Sequence, residues 1–433
     1  MSVKPLEFSR KAKHTPESPI SYFMEQALQN PHLVSLAAGL VDAPSLPAGP
    51  IAKAIADILA DPTTAKAALQ YGTTQGYLPL LQKIVNHVAS LDGLTPGDLG
   101  VTPRDVLVTT GSQQLLYMLS ELMIDAGDIV ITESPSYFVY HSVLAGNGTR
   151  VMTVPMDEDG LIVTELETLL QRIERDGELH RVKLLYTVDY FQNPTGLTLS
   201  AKRREELMEV ITRWASKQRI LVLEDAAYRE LRYEGDELPS LKSFDPHNRH
   251  VIYAGTFSKP CAPGLKTGYA VMPTELVEPM VRLKGNHDFG SNNLSQHVLN
   301  RLLETGAYAA HVLELRKVYR EKRNTMLSAL EEHFGDLPGV SWTHPRGGMF
   351  VWFTMPEEIA TSPNSPFLKA AIKEGVLYIP GEFGYVSETG EKPRSEARLS
   401  YGDASLAMIR EGVKRLRHAA DAVMKASRQP VGV

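Results

Sequence analysis

Two lysines in T-F-S-K-P-C-A-P-G-L-K-T-G-Y (256–269) follow an apolar run, V-I-Y-A-G (251–255), with no carboxylate beside them in the chain. An ammonium taken out of water is costly unless it is paired or neutral. A lysine partly desolvated near a second cation has a lowered pKa, and its neutral amine is a nucleophile able to form a Schiff base. Lys259 fits that description, with Lys266 as the second cation. Thr256, Ser258 and the Pro263-Gly264 turn add a set of groups that suits a phosphate. A bare Ser-Lys is as readily a surface loop, and Ser216-Lys217, inside a helical pattern, is expected to be solvated.

Three further stretches carry the same kind of chemistry. G-S-Q-Q (111–114) stands between a strand and a helix. Ser112 there serves either as an ordinary N-cap or as part of a helix start whose free N–H groups and dipole hold a phosphate. D-Y-F-Q-N-P-T-G (189–196) reads as a turn, and as a rigid mount for an amide at the end of a strand. E-D-A-A-Y (224–228) ends another strand with Asp225, followed by Tyr228. An acid at the carboxyl end of an open sheet sits where such sheets bind ligands.

The elements that position these groups alternate. Apolar runs at 105–110, 128–132, 150–154, 182–188, 220–225, 251–255 and 268–273 predict strands, most of them separated by helical patterns. One such helix carries the stripe Leu115, Met118, Leu119 and Leu122, and another covers 200–217. Nearly continuous apolar strands between helices predict a mostly parallel sheet covered on both faces. From about 290 a long helical stretch and short runs at 340–342, 348–353, 376–379 and 397–400 predict a smaller α+β unit. Its last helix has Leu406, Ile409, Val413, Leu416, Ala420 and Val423 on one face, with Asp403 as N-cap. The expected division is an N-terminal arm (1–45) contributing to the small domain, a large domain (46–300) and a small C-terminal domain (301–433).

The parallel strands bring the four stretches to one edge of one sheet. Together they ask for a ligand with a phosphate, an aldehyde, a phenolic oxygen and a basic ring nitrogen, which is pyridoxal 5′-phosphate. At this point the chain resembles the fold-type I, class I pyridoxal-phosphate aminotransferases of the aspartate aminotransferase superfamily. The likeness runs from S-L-A-A-G-L (35–40) to A-R-L-S-Y (397–401) and is nearest the kynurenine and 2-aminoadipate branch. It implies an α/β fold: a large cofactor-binding domain with a mostly parallel sheet between helices, plus a smaller α+β domain.

The resemblance also implies roles. Lys259 matches the Schiff-base lysine, Asp225 the partner of the ring nitrogen, and Asn193 and Tyr228 the hydrogen-bond partners of the phenolic oxygen. Tyr137, in E-S-P-S-Y, matches the residue stacked on the ring; Ser112, Gln113, Thr256, Ser258 and Lys266 match the phosphate cradle. Tyr71, in Y-G-T-T-Q-G, matches a tyrosine that reaches the phosphate of the neighbouring subunit, implying a homodimer. Arg398 matches the arginine that grips the substrate carboxylate, a task for a bidentate fork, with Gly39 and Asn193 beside it. P-R-G-G-M-F (345–350) resembles the small-domain signature. The implied reaction is ping-pong transfer of the α-amino group of an L-amino acid to a 2-oxo acid such as 2-oxoglutarate. A lyase on the same scaffold shares these motifs. The effector domain of a pyridoxal-phosphate-dependent transcription regulator is a further alternative, and carries a basic winged-helix module that is not seen before 35–40.

The departures bear on specificity. Lys266 stands where arginine is usual, keeping the charge without the planar fork. Asp189-Tyr190 replaces the usual proline and its neighbour, adding an acid near the cofactor edge. Ser21 follows Ser18-Pro19-Ile20 where these relatives commonly have arginine, and Ala37-Ala38-Gly39-Leu40 replaces A-G-G-L.

The totals exclude other classes. A 433-residue chain that is 43% hydrophobic and 22% charged is an ordinary globular composition, and its net charge of −6 makes no case for nucleic acid or anionic membrane. R-K-V-Y-R-E-K-R (316–323) is expected to be the solvated face of a helix. No stretch is apolar enough to span a bilayer, and the start lacks the core of a signal peptide. One cysteine, Cys261, excludes an intrachain disulfide and suits a reducing cytoplasm. The 13 histidines show no metal-ligand spacing, so no metal is expected.

Overall fold

The apolar runs in the middle of the chain become strands hidden on both sides. In the computed structural model, which describes residues 3–17, 23, 29, 30, 32–387 and 390–427, eight strands form one sheet. Their spatial order is Val106–Thr109, Gly268–Val271, Val251–Thr256, Leu221–Asp225, Val182–Thr187, Ile129–Ser134, Arg150–Asp157 and Gly160–Leu161. Every residue of Val106–Thr109, Leu221–Asp225 and Val251–Thr256 is buried. The strands from Val251–Thr256 to Arg150–Asp157 run parallel. Gly268–Val271 runs antiparallel between Val251–Thr256 and Val106–Thr109.

Strand residues alternate between the faces. Ile129, Ile131, Leu185 and Val222 pack with Leu166, Leu170, Leu207 and Ile211, from helices Val163–Arg175 and Ala201–Trp214. Val130, Leu184, Leu221 and Leu223 belong to the larger core on the other side, with Leu115 and Leu119 of helix Ser112–Met123. Because the crossovers keep the strands parallel, the ends at Thr109, Ser134, Thr187, Asp225 and Thr256 share one edge with Gly268.

The smaller unit has an antiparallel sheet ordered Ser341–Trp342, Phe350–Thr354, Glu396–Ser400 and Ile379–Pro380. Val34–Ser35 pairs in parallel with Val376–Leu377, tying the N-terminal region to this unit. The helix Arg10–His14 lies elsewhere, with Lys11 bonded to Glu121 at 2.5 Å.

Two sequence expectations change here. The last helix is Leu406–Ser427, and its cap is Ser405, whose Oγ accepts from Met408 N at 3.2 Å. Asp403 lies too far ahead of the first turn to reach those N–H groups. The basic run 316–323 is a solvated face only in part, because helix Ala307–Phe334 is covered on more than one side. Lys322 and Arg323 are buried: Lys322 pairs with Asp42 at 2.5 Å, Arg323 pairs with Glu234, and Arg316 donates to Glu230 O at 2.6 Å. Lys317, Arg320 and Glu321 keep the exposed positions.

Candidate active site

Lys259 and Arg398, 139 positions apart in the chain numbering, meet one short piece of backbone. Lys259 Nζ donates to Gly39 O at 2.7 Å, and Arg398 Nη2 donates to Ala37 O at 2.6 Å. Lys259 follows the strand Val251–Thr256 and is partly buried. Burial, with Arg398 as the nearby cation, lowers its pKa to about 8. Arg398, in Glu396–Ser400, is buried between Phe350 and Phe138, whose ring centroids lie 4.3 and 5.6 Å from its guanidinium carbon. Burial lowers its pKa to about 10, so it remains a cation at neutral pH. Its Nε is buried without a partner among the described residues. Above it lies a cavity of about 110 Å³ lined by Phe23, Ala37, Ala38, Gly39, Leu40 and Ile379.

Asp225 ends its strand in a ring of tyrosines. Its Oδ2 accepts from Tyr186 OH at 2.9 Å and its Oδ1 from Ala227 N at 3.2 Å. Burial outweighs these donors and raises its pKa to about 6, so it is a carboxylate at neutral pH. Tyr137 and Tyr228 both lie near enough to Asp225 for its charge to raise their pKa further, after burial as the main cause. Tyr186 was not foreseen as part of the site. It is one aromatic residue in an apolar strand, and only the strand order places it beside Asp225.

Asn193 joins the two halves of the site. Its Oδ1 accepts from Arg398 Nη1 at 2.8 Å, and Asn193 also hydrogen-bonds Tyr228. The loop before it is held from several sides. Phe191 adopts a left-handed φ of 47° and packs against Gly348, where an added Cβ would stand 2.6 Å from Phe191 Cβ. Asp189 does not act at the cofactor edge through any side-chain hydrogen bond there: it is fully buried and pairs with Arg204 of Ala201–Trp214. The acid that replaces the usual proline is therefore bound into the packing behind the loop.

The phosphate candidates gather at the neighbouring strand ends. Helix Ser112–Met123 starts after Gly111, at φ 76°, and no side chain caps it. Ser112 is thus the first helical residue and not the N-cap. Gly268 lets the antiparallel strand approach this start, since a Cβ there would lie 2.6 Å from Ser112 N. Thr256 Oγ1 donates to Ser258 Oγ at 3.0 Å and accepts from Ser258 N at 3.1 Å. Gln113 and Lys266 are exposed; Lys266 sits at φ 46° with no ion pair among the described residues, so of the two lysines only Lys259 is withdrawn from solvent, and that in part. Tyr71 is 81% exposed, its ring 5.6 Å from that of Phe289. Cys261 is buried, which pushes its thiol up to about 12 and leaves it a packing residue. The Ser18–Ser21 positions lie outside the described residues.

The profile described as "Aminotransferase class I and II" matches residues 31–416. The chain belongs to the class I and II aminotransferases. This aminotransferase is 33% identical to aromatic-amino-acid aminotransferase 1 of Thermococcus litoralis, over 97% of this chain and 100% of that one. It is 34% identical to the 2-aminoadipate transaminase of Thermus thermophilus, over 90% and 91% of the two chains. The crystal structure of a multiple substrate aminotransferase from Thermococcus profundus superposes with a TM-score of 0.88 at 33% identity, covering 97% and 98%. The fold is fold-type I, and the protein is a pyridoxal-phosphate-dependent transaminase acting on amino acids and 2-oxo acids. Among the described residues no helix is long and apolar enough to cross a membrane, and no three His, Cys, Asp or Glu side chains gather as a metal site.

Proposed function

We propose that this chain transfers the α-amino group of an L-amino acid to a 2-oxo acid, with 2-oxoglutarate as acceptor, using Lys259 and Arg398 as the two poles of the site. The observation that carries this reading is their joint contact with Ala37–Gly39, which sets an amine beside a carboxylate-binding fork. An α-amino acid needs that pairing, one group at Cα and one at its carboxylate.

The residues present fit pyridoxal phosphate. An amine without a carboxylate partner among the described residues, a buried carboxylate, an uncapped helix start and a glycine whose Cβ would fill the cradle stand on one edge. When bound, the cofactor supplies the aldehyde for Lys259 and a ring that takes up the electrons left at the substrate Cα. Lys259, freed by the incoming amine, would take the Cα proton as general base, helped by a pKa lowered to about 8. Asp225 would pair with the ring nitrogen and keep it protonated. Asn193 and Tyr228 would hold the phenolic oxygen, and Tyr137 would stack on the ring. Ser112, Gln113, Thr256, Ser258 and Lys266 would hold the phosphate, less tightly at Lys266 than a planar fork. Arg398 binds the substrate carboxylate, with Gly39 and Asn193 beside it.

The working unit on this reading is a cytoplasmic homodimer in which Tyr71 reaches the neighbouring site. The cofactor side lies in 46–300 and Arg398 in 301–433. The apolar lining of the cavity over Arg398 supports amino acids with apolar or aromatic side chains. The test is a half-reaction panel of single amino acids, following loss of the visible absorbance. Apolar and aromatic substrates should react fastest, and Lys259→Ala should bleach with none. Release of ammonia and an expelled β-substituent with the visible absorbance retained, in place of its loss to an amino group kept on the cofactor, would move the reading to a lyase.

A further inference from the structure

Glu133 is a second buried carboxylate on the site's edge, in E-S-P-S-Y four residues before Tyr137. It is 1% exposed and has no cation partner among the described residues. All three of its side-chain hydrogen-bond donors come from one segment: Thr187 Oγ1 at 2.5 Å, Val188 N at 3.0 Å and Gln192 Nε2 at 2.7 Å. Gln192 is fixed at its other end as well, since its Oε1 accepts from Thr195 Oγ1 at 2.6 Å and its Nε2 reaches Pro135 O at 3.0 Å. The next residue is Asn193, which receives Arg398. A buried carboxylate without a cation is costly to the fold, and an apolar side chain would serve the strand Ile129–Ser134 as well. What Glu133 adds is a fixed path for the loop that delivers Asn193.

We propose that Glu133 is a positioning residue for transamination: by holding residues 187–192 it fixes Asn193 between Arg398 and the phenolic oxygen of the cofactor. This rests on the reading of Asn193 given above. Because an amide donor on that oxygen draws off negative charge that otherwise favours protonation at the Lys259 nitrogen, loosening Asn193 raises the pH at which the bound cofactor's visible absorbance titrates. It also frees Arg398 Nη1 from its mount, weakening carboxylate binding.

The experiment is a double-mutant cycle on the holoenzyme, reading the absorbance midpoint and the Kd of 3-phenylpropionate, an unreactive carboxylate. Asn193→Ala should raise the midpoint and weaken the carboxylate. Glu133→Gln should shift both in the same direction, the Kd by roughly 10-fold. The double variant should match Asn193→Ala alone, since Glu133 acts through Asn193. If Asn193→Ala moves both readouts and Glu133→Gln moves neither, or if the two effects add in full, the positioning role is overturned. If Asn193→Ala itself moves neither, the reading of Asn193 fails and this inference with it. Should Glu133→Gln lack a cooperative thermal transition, Gln192→Met, which removes the donor next to Asn193, is read by the same criteria.

Discussion

The Tyr186 hydroxyl donates to Asp225 Oδ2 at 2.9 Å, making a buried phenol the main side-chain support of the buried acid. Burial still prevails and leaves Asp225 near 6, above its ordinary 3.8. The sign follows: a carboxylate whose folded value is raised costs stability at neutral pH, and that cost fades as pH falls through the raised value. Asp225→Asn should therefore leave the cofactor-free protein as stable or more stable at neutral pH, by ~1–3 kcal/mol, while turnover collapses. Thermal melts at neutral pH and at pH below the raised value check this; a large loss of stability at neutral pH contradicts it.

Lys259 gives the opposite sign. Its value, lowered from 10.5 to about 8, leaves it mostly protonated and unreactive below that pH and a free amine above it. The rate at which cofactor-free protein captures pyridoxal phosphate should rise with pH through about 8. Arg398→Gln removes the smaller cause and should move the midpoint upward without restoring the ordinary value, because burial is the larger cause. Stopped-flow absorbance measures both. A capture rate that does not change across this range would remove Lys259 as the titrating group.

Gly268 isolates the geometry of the phosphate side. Its added Cβ would meet backbone at Ser112 N, 2.6 Å, and Gly111 C, 2.7 Å, which no side-chain rotation relieves. Gly268→Ala should cost ~1–3 kcal/mol of stability and weaken the cofactor by displacing the helix start. Gly264→Ala is the control, since nothing lies within 4 Å of its Cβ position. Equal cofactor affinity in the two variants would separate the helix start from phosphate binding.

Much of this site was legible because its residues end strands. Asp225, Lys259 and Asn193 each follow an apolar run, and a mostly parallel sheet sends such ends to one edge. Tyr186 and Gln192 were not legible, because their contacts depend on which strands are neighbours. The register that sets Tyr186 beside Leu223, two residues short of Asp225, is a property of strand order and not of local pattern. Glu133 did leave a signal, an acid closing an apolar strand, the same signal that singled out Asp225. Lys322 and Arg323 in the run 316–323 escaped for a related reason: a charged helix face looks solvated until a second layer with its own acids, Asp42 and Glu234, meets part of it. Asp403 and Ser405 show the usual imprecision of helix ends, where either side chain is a competent cap.

Tyr71 decides whether the site is shared between subunits. An aromatic ring 81% exposed beside Phe289, itself 61% exposed, is apolar surface that a second chain can cover. If Tyr71 serves the neighbouring site, Tyr71→Ala and Lys259→Ala chains complement each other. In the hybrid dimer the Tyr71→Ala chain keeps its own Lys259 and receives an intact Tyr71, so one site is whole and the other lacks both residues. Random reassortment of equal amounts makes half the dimers hybrid, and about a quarter of all sites whole. Unfolding and refolding the two variants together should thus recover activity that neither shows alone, in a species of dimer mass by light scattering. If Tyr71 acts within its own chain, every hybrid site lacks one residue, and no recovery above the parents appears.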